Sequence, residues 1–386
     1  MSWLVYRMTG SAMLLGIVGF TSQIPSFLLA PVAGVLADRW EKRRLLLATQ
    51  TLALTQAALL AAIVLAGIVQ IWHIVLLSLF LGIVNAFDIP VRQSFVVQMV
   101  DSREDLSNAI ALNSSMVHGA RLIGPTIAGL LVASVGEGVC FAINSASYLA
   151  VIAALVAMRV TPMAPRLQRQ NVLQELHEGV RYAFDFKPIR SILLLLALVS
   201  LMGMPYSVLV PVFAREVLHG SSHTYGFLMA ASGSGAFAGA FYLASRRSVL
   251  GLGMVIVRAA IFFGTGIAIF AISNNFTLSM VSLVVAGFGA MTLVASCNTI
   301  IQTIVDEDKR GRVMSFFTMA FIGMAPFGSL LAGALAGRIG ANETVLVGGV
   351  CCLAGGIIFL RQLPLLRKTI RPIYIDRGII HEKGEY

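Results

Sequence analysis

The stretch Gly34-Val35-Leu36-Ala37-Asp38-Arg39-Trp40-Glu41-Lys42-Arg43-Arg44 packs four cations and two acids between two long apolar runs, Ala12 to Leu36 and Leu45 to Val69. Each run exceeds the roughly 20 apolar residues that a helix needs to cross a hydrocarbon core of about 30 Å. A basic knot between two such runs reads as a loop held on the cytoplasmic side, where Lys and Arg collect near the ends of spans. The chain is therefore expected to run in to this loop and back out again.

The same alternation continues along the chain. Further long runs with few charges are Ile74 to Met99, Ser107 to Val135, Val139 to Met158, Ile189 to Phe213, Tyr225 to Ala244, Leu252 to Ile272, Phe276 to Ile304, Val313 to Ala336 and Glu343 to Leu360, giving eleven complete spans. Of 28 Lys and Arg, Arg92, Arg121 and Arg258 fall within spans and Arg7, Arg215 and Arg338 on one face; the other 22 fall on the opposite face. That bias places the Arg39 to Arg44 loop, the Arg159 to Pro188 connection and the tail after Arg361 in the cytoplasm.

Composition agrees. The chain is 58% hydrophobic and 12% charged, with a mean hydropathy of +0.86, so most of its apolar surface is expected to face lipid. The net charge of +10 does not indicate nucleic acid, because the cations sit between spans and form no patch interleaved with aromatics. Cys140, Cys297, Cys351 and Cys352 lie in apolar stretches without zinc-site or disulfide-framework spacing. Met1 to Ser11 lacks the basic region, apolar run and cleavage site of a signal peptide. No phosphate loop, activated nucleophile or metal-ligand cluster is evident, so neither an enzyme nor a metal or cofactor site is expected.

The halves repeat. Ala33-Gly34 recurs as Ala238-Gly239, Asp101 as Asp306, and Gly124-Pro125-Thr126-Ile127-Ala128-Gly129 as Gly328-Ser329-Leu330-Leu331-Ala332-Gly333, each about 205 residues later. Duplicated bundles related by an axis along the membrane normal are one known transporter architecture. The expected division is an N-terminal bundle over 1–158, a linker over 159–188, a C-terminal bundle over 189–360 and a basic tail over 361–386. The linker carries Pro162, Pro165 and a short helical pattern from Val172 to Phe186, which either lies on the membrane surface or packs on helix ends. The first bundle is one span short: Ser2 to Tyr6 resembles only the outer end of a first span, so a truncated first helix is expected.

The Gly34 to Arg44 stretch resembles the signature loop between the second and third spans of the major facilitator superfamily, and the resemblance covers nearly the whole chain. It departs from the signature at Trp40-Glu41, where a glycine is common. The resemblance implies an all-α fold of two six-helix bundles and gives Gly34, Asp38, Arg39, Lys42 and Arg43 a part in a cytoplasmic gate. The plainer alternative is that Asp38 and the cations only anchor topology.

Asn85-Ala86-Phe87-Asp88-Ile89-Pro90-Val91-Arg92-Gln93-Ser94-Phe95 is similar to the fourth span of the enterobactin-exporter-like branch, which handles siderophores and drug-like compounds. Asp88 and Arg92 are four residues apart and share a helix face. An unpaired charge at mid-bilayer costs roughly 2.5 to 3.5 kcal/mol, so the two are expected to pair, either as a proton carrier and its cation or as a structural ion pair. His118-Gly119-Ala120-Arg121-Leu122-Ile123-Gly124-Pro125, continuing to Gly129, resembles the glycine-proline pattern of the fifth span in facilitator-type antiporters. That implies export, with Gly119, Gly124, Pro125 and Gly129 packing closely on the other half. His118 and Arg121 are further candidates for a charge network, the alternative for His118 being an interhelical hydrogen bond. Asn85, Gln93, Asn113, Asn144 and Asn298 either line a cavity or glue helices together.

These readings converge on a secondary transporter of a bacterial inner membrane, coupled to protons and exporting a small, partly apolar molecule. The alternative is a membrane protein that does not transport. Partners beyond substrate, proton and bilayer are not expected, and oligomeric state stays open, a monomer being one reading.

Overall fold

A computed structural model describes residues 1–96, 99, 106–158, 185–246, 248–306, 309–377 and 379–380, and leaves the side chains of 30–39, 96, 106–115, 117–119, 121–123, 125–126 and 310–312 outside the description. All the regular structure among these residues is helical. The N-terminal half contains α1 (Ser2–Thr9), α2 (Ala12–Arg39), α3 (Lys42–Leu65), α4 (Ile71–Val96) and α5 (Leu106–Ala157). The C-terminal half contains α6 (Lys187–Leu198), a π turn (Val199–Gly203), α7 (Tyr206–Val212), a second π turn (Phe213–Val217), α8 (Ser222–Ala244), α9 (Leu252–Ile272), α10 (Phe276–Ile304), α11 (Arg310–Phe321), α12 (Ala325–Ile339) and α13 (Ala341–Asp376).

Ten helical stretches among the described residues are long and apolar enough to cross a membrane. One belongs to α5, whose 52 residues would reach about 78 Å if straight, more than twice the thickness of a bilayer core. The helix breaks at Gly136, with φ 81° and ψ 167°, a conformation that residues carrying a Cβ avoid. Its limbs, 106–135 and 137–157, are each long enough to cross, which brings the crossings among the described residues to eleven. The band of large apolar side chains left exposed, among them Leu28, Leu59, Leu76, Leu149, Leu194, Phe241, Val281 and Ile358, would be intolerable over so wide an area in water. It is the lipid-facing surface.

The duplication is visible in the packing. In the first half α4 packs on α2 and α3, and α3 packs on α5; in the second, α10 packs on α8 and α9, and α9 packs on α13. The halves meet along two seams, α2 against α12 and α5 against α8. Each seam runs through the last glycine of the repeated run. A Cβ on Gly129 would lie 2.6 Å from Cα of Gly226, and one on Gly333 would lie 2.7 Å from Cα of Gly16. Only small residues allow such backbone approach in a membrane, where packing rather than water exclusion joins helices.

Both seams lie toward the end of the molecule remote from the basic loops. There α1 bridges the halves: Trp3 stacks on Tyr225 at 6.0 Å, Arg7 pairs with Glu137 at 2.8 Å, and Arg215 donates to the carbonyls of Tyr6 and Arg7. Nearer mid-membrane, Phe27 meets Phe327 edge-on at 5.9 Å, and Gln23 Nε2 reaches Ser329 Oγ at 3.4 Å.

Two features differ from the sequence expectation. The span expected over Ile189 to Phe213 is interrupted by the two π turns, between which Pro205 and Pro211 lie. Proline withholds a backbone donor, and a wider turn accommodates the resulting slip in the hydrogen-bond ladder. The last helix does not stop where its apolar run ends near Leu360: α13 continues unbroken to Asp376. Leu363, Leu366, Ile370 and Tyr374 lie at helical spacing and are all buried against the bundle, and this buried stripe carries the helix on past Pro364 and Pro372. Most of the linker, 159–184, lies outside the described residues.

Candidate functional site

Helices α3 and α4 bring one acid out of solvent. Asp88 on α4 is 3% exposed, eight residues from the end of α4 and thus about 12 Å from the basic end of that helix. Its Oδ2 takes Nη2 of Arg92 at 2.6 Å, one turn further along α4. Its Oδ1 accepts from Thr49 Oγ1 at 2.9 Å and from Gln50 Nε2 at 2.7 Å, both on α3. A carboxylate with three donors is satisfied without water, the condition for keeping a charge inside a membrane protein. The Arg92 side chain is 60% exposed while that of Asp88 is 4% exposed, so the pair is a buried anion whose cation reaches outward.

Asn85 lies one turn before Asp88 and, with Arg92, on the same side of α4. Across from them on the second limb of α5, Tyr148 lies near Asp88 and Arg92, with Asn144 one turn before it on the same face. Asn144 also lines a cavity of about 310 Å³ enclosed by α1, α3, α4 and both limbs of α5. Its polar lining includes Gln56 and Glu137, the rest being mostly apolar, Leu60, Val132 and Phe141 among it. Gln56 follows Thr49 by two turns on the same face of α3, and its Nε2 is buried with no hydrogen-bond partner. A line of polar groups thus runs through the N-terminal half from Asp88 past Tyr148 and Asn144 to Glu137.

The remaining expected residues scatter. Arg43 turns back into its own half, donating from Nε to the Leu155 carbonyl at 2.7 Å and from Nη2 to the Val156 carbonyl at 2.6 Å. Lys42 stands half-buried at the start of α3, and Glu41 pairs with Arg44. Gln93 is exposed. Asn298 accepts from Gln302 one turn away on α10 at 3.0 Å, far from Asp88 in the chain and on the other half. Gly124 is exposed with open space around it, whereas Gly129 is buried in the α5–α8 seam. The side chains of Gly34, Asp38, Arg39, Asn113, His118, Gly119, Arg121 and Pro125 lie outside the described residues.

Three participants escape sequence reading. Thr49 and Gln50 look like ordinary polar residues on an apolar helix, and only the α3–α4 pairing reveals that they serve Asp88. Glu137 reads as a loop residue between spans, yet its side chain is 12% exposed and ion-paired. Among the described residues no group of His, Cys, Asp and Glu could hold a metal ion.

Comparison with known proteins gives these observations a setting. Residues 1–370 match the family described as transmembrane secretion effector. The staphyloferrin A transporter of Staphylococcus aureus is 25% identical over 362 residues, covering 93% of this chain and 90% of that protein. Macrolide efflux protein A of Streptococcus pyogenes is 22% identical over 359 residues, covering 90% and 87%. Among solved structures, a mutant of the nucleoside transporter NupG superposes with a TM-score of 0.73 at 14% identity, covering 93% of each chain.

Proposed function

We propose, on the premise that the chain belongs to the transmembrane secretion effector family of the major facilitator superfamily, that this membrane transporter exports small, partly apolar molecules in exchange for protons. The observation that carries the reading is the buried Asp88, held by Thr49, Gln50 and Arg92. An ionisable side chain inside a transporter's span is a functional site by default, because each such group costs insertion energy. The similarity to a siderophore transporter and a macrolide efflux protein supports an outward direction and a substrate of that general size.

The basic end faces the cytoplasm of a bacterial inner membrane, following the Lys and Arg bias, and the C-terminus lies on that side. The bundles 1–158 and 189–360 rock about their two glycine seams, with 159–188 as linker. With the seams packed at the end remote from the basic loops, this conformation is closed on the outer side, and alternating access opens it there. Protonation of Asp88 from the outside would cancel the charge that fixes Arg92, Thr49 and Gln50, loosening α3 from α4; deprotonation to the cytoplasm would restore it. Gly34, Asp38, Arg39 and Lys42, braced by Arg43, close the cytoplasmic end in the alternate state, and Arg121 and His118 extend the charge network. Asn85 and Asn144 offer polar contacts to substrate.

The test is efflux of a fluorescent drug-like compound from cells expressing the chain, with and without a protonophore. Uncoupler-sensitive efflux that disappears in Asp88→Asn, with the variant still inserted in the membrane, is the expected result. Efflux indifferent to both the uncoupler and the substitution would overturn proton coupling through Asp88. A chain that inserts normally and moves no compound related to those of its relatives would favour the other reading, a membrane protein without transport.

A further inference from the structure

At 36 residues, α13 is about 54 Å long, whereas the hydrocarbon core is about 30 Å thick. Counted from Ala341, the helix leaves hydrocarbon near Leu360, and its last four turns stand at the level of lipid headgroups and beyond. These turns have two dissimilar faces. Leu363, Leu366, Ile370 and Tyr374 are buried against the bundle, while Pro364, Arg367, Lys368 and Arg371 follow one another at helical spacing on another side.

That second side walls a cavity of about 360 Å³, completed by Met254 at the start of α9 and by Leu360 and Leu363. Its lining is ordered by depth. Met254, Leu360, Leu363 and Pro364 lie where acyl chains end, and Arg367, Lys368 and Arg371 one to two turns further out. The floor is fixed: a Cβ on Gly253 would lie 2.6 Å from Leu363 Cδ1, so α9 and α13 touch there. Beyond the cavity, Arg377 donates to the Val305 carbonyl at 2.8 Å and ties down the end of α13.

Three cations within five residues of one helix converge on a cavity with an apolar inner rim, a lining complementary to an anion with an apolar tail. We infer that this cavity binds the headgroup of an anionic phospholipid, its phosphodiester held by Arg367, Lys368 and Arg371 and its first acyl carbons lying on Leu360, Pro364 and Met254. Basic pockets at the cytoplasmic ends of membrane helices have the right charge and depth for such lipids, and each cation near the surface contributes about a fivefold gain in affinity. The occupant would bind the C-terminal half alone, whatever the direction of transport.

The experiment uses the purified full chain in detergent, with lipid retention read by native mass spectrometry and thermal stability read in parallel. Arg367 and Arg371 also engage other groups of the chain, so the informative variant is Lys368→Gln, with Lys187→Gln as a charge control at the same end and outside the cavity. Phosphatidylglycerol should be retained and stabilising where phosphatidylcholine is not, and Lys368→Gln should weaken retention about fivefold while Lys187→Gln leaves it unchanged. Equal retention of both lipids, or equal loss in both variants, would overturn the site. Full stabilisation by inorganic phosphate alone would overturn the lipid as its occupant.

Discussion

Helix α4 begins at Ile71 and α10 at Phe276, 205 residues later, and the same shift sets Asp88 against Leu293, Arg92 against Cys297, and Thr49 and Gln50 against Met254 and Val255. The two helices occupy equivalent places in their bundles, α4 on α2 and α3, α10 on α8 and α9. Where the first half buries the carboxylate of Asp88 with its donors Thr49 and Gln50, the second buries Leu293 and Cys297 at 0% exposure. One backbone plan thus supports two interiors. The equivalent place in α10 is filled by apolar side chains, so close packing there does not of itself require a charge, and a buried carboxylate is kept only where donors satisfy it.

The sharpest way to break this comparison is to neutralise the charged half. Asp88→Asn keeps the shape and most of the hydrogen bonds and should abolish uncoupler-sensitive efflux altogether, with membrane insertion checked by fractionation. Giving the silent half a charge comes next. Leu293→Asp has no cation one turn away and should destabilise the protein by about 2.5 to 3.5 kcal/mol, read as a fall in melting temperature in detergent; an unchanged melting temperature would mean that α10 hides a partner for an acid.

The seams offer a smaller contrast. Gly129→Ala and Gly333→Ala each drive a methyl into the backbone of the opposite half and should cost about 1 to 3 kcal/mol, with similar size in the two because the seams are duplicates. Strongly unequal effects would show that one seam bears more of the closure. The smallest effect belongs to Thr49→Val, which removes one of three donors to Asp88. A loss of about 0.6 kcal/mol, typical of a hydrogen bond inside a membrane protein, should leave efflux intact and lower the melting temperature only slightly.

Much of this arrangement was legible in the sequence because bilayers impose a simple rule, about 20 apolar residues and then charge. The break in α5 could be read from the gap between Val135 and Val139, and the seams from the repeated Gly-to-Gly run. The extension of α13 could not be read as a span, since Arg361 and the later cations end the apolar run; the 3-4-4 spacing of Leu363, Leu366, Ile370 and Tyr374 was the signal available. The donors to Asp88 were hidden for a different reason. Thr49 and Gln50 stand 39 and 38 residues before it, and nothing in the local pattern of α3 states which neighbour its polar side will meet. Glu137 was obscured by its place beside Gly136, where a turn reads as exposed until α1 is laid over it.

The guanidinium of Arg43 has a mechanical meaning. The last turn of a helix leaves carbonyls without donors, and at the end of α5 two of them, on Leu155 and Val156, are held by a residue from the first turn of α3. Two rods pinned at the same end neither slide nor twist past each other without breaking charge-assisted bonds. The pin turns α3 and the second limb of α5 into a rigid truss, so that a push on the loop between α2 and α3 is delivered to the far side of the same bundle rather than dissipated where it lands.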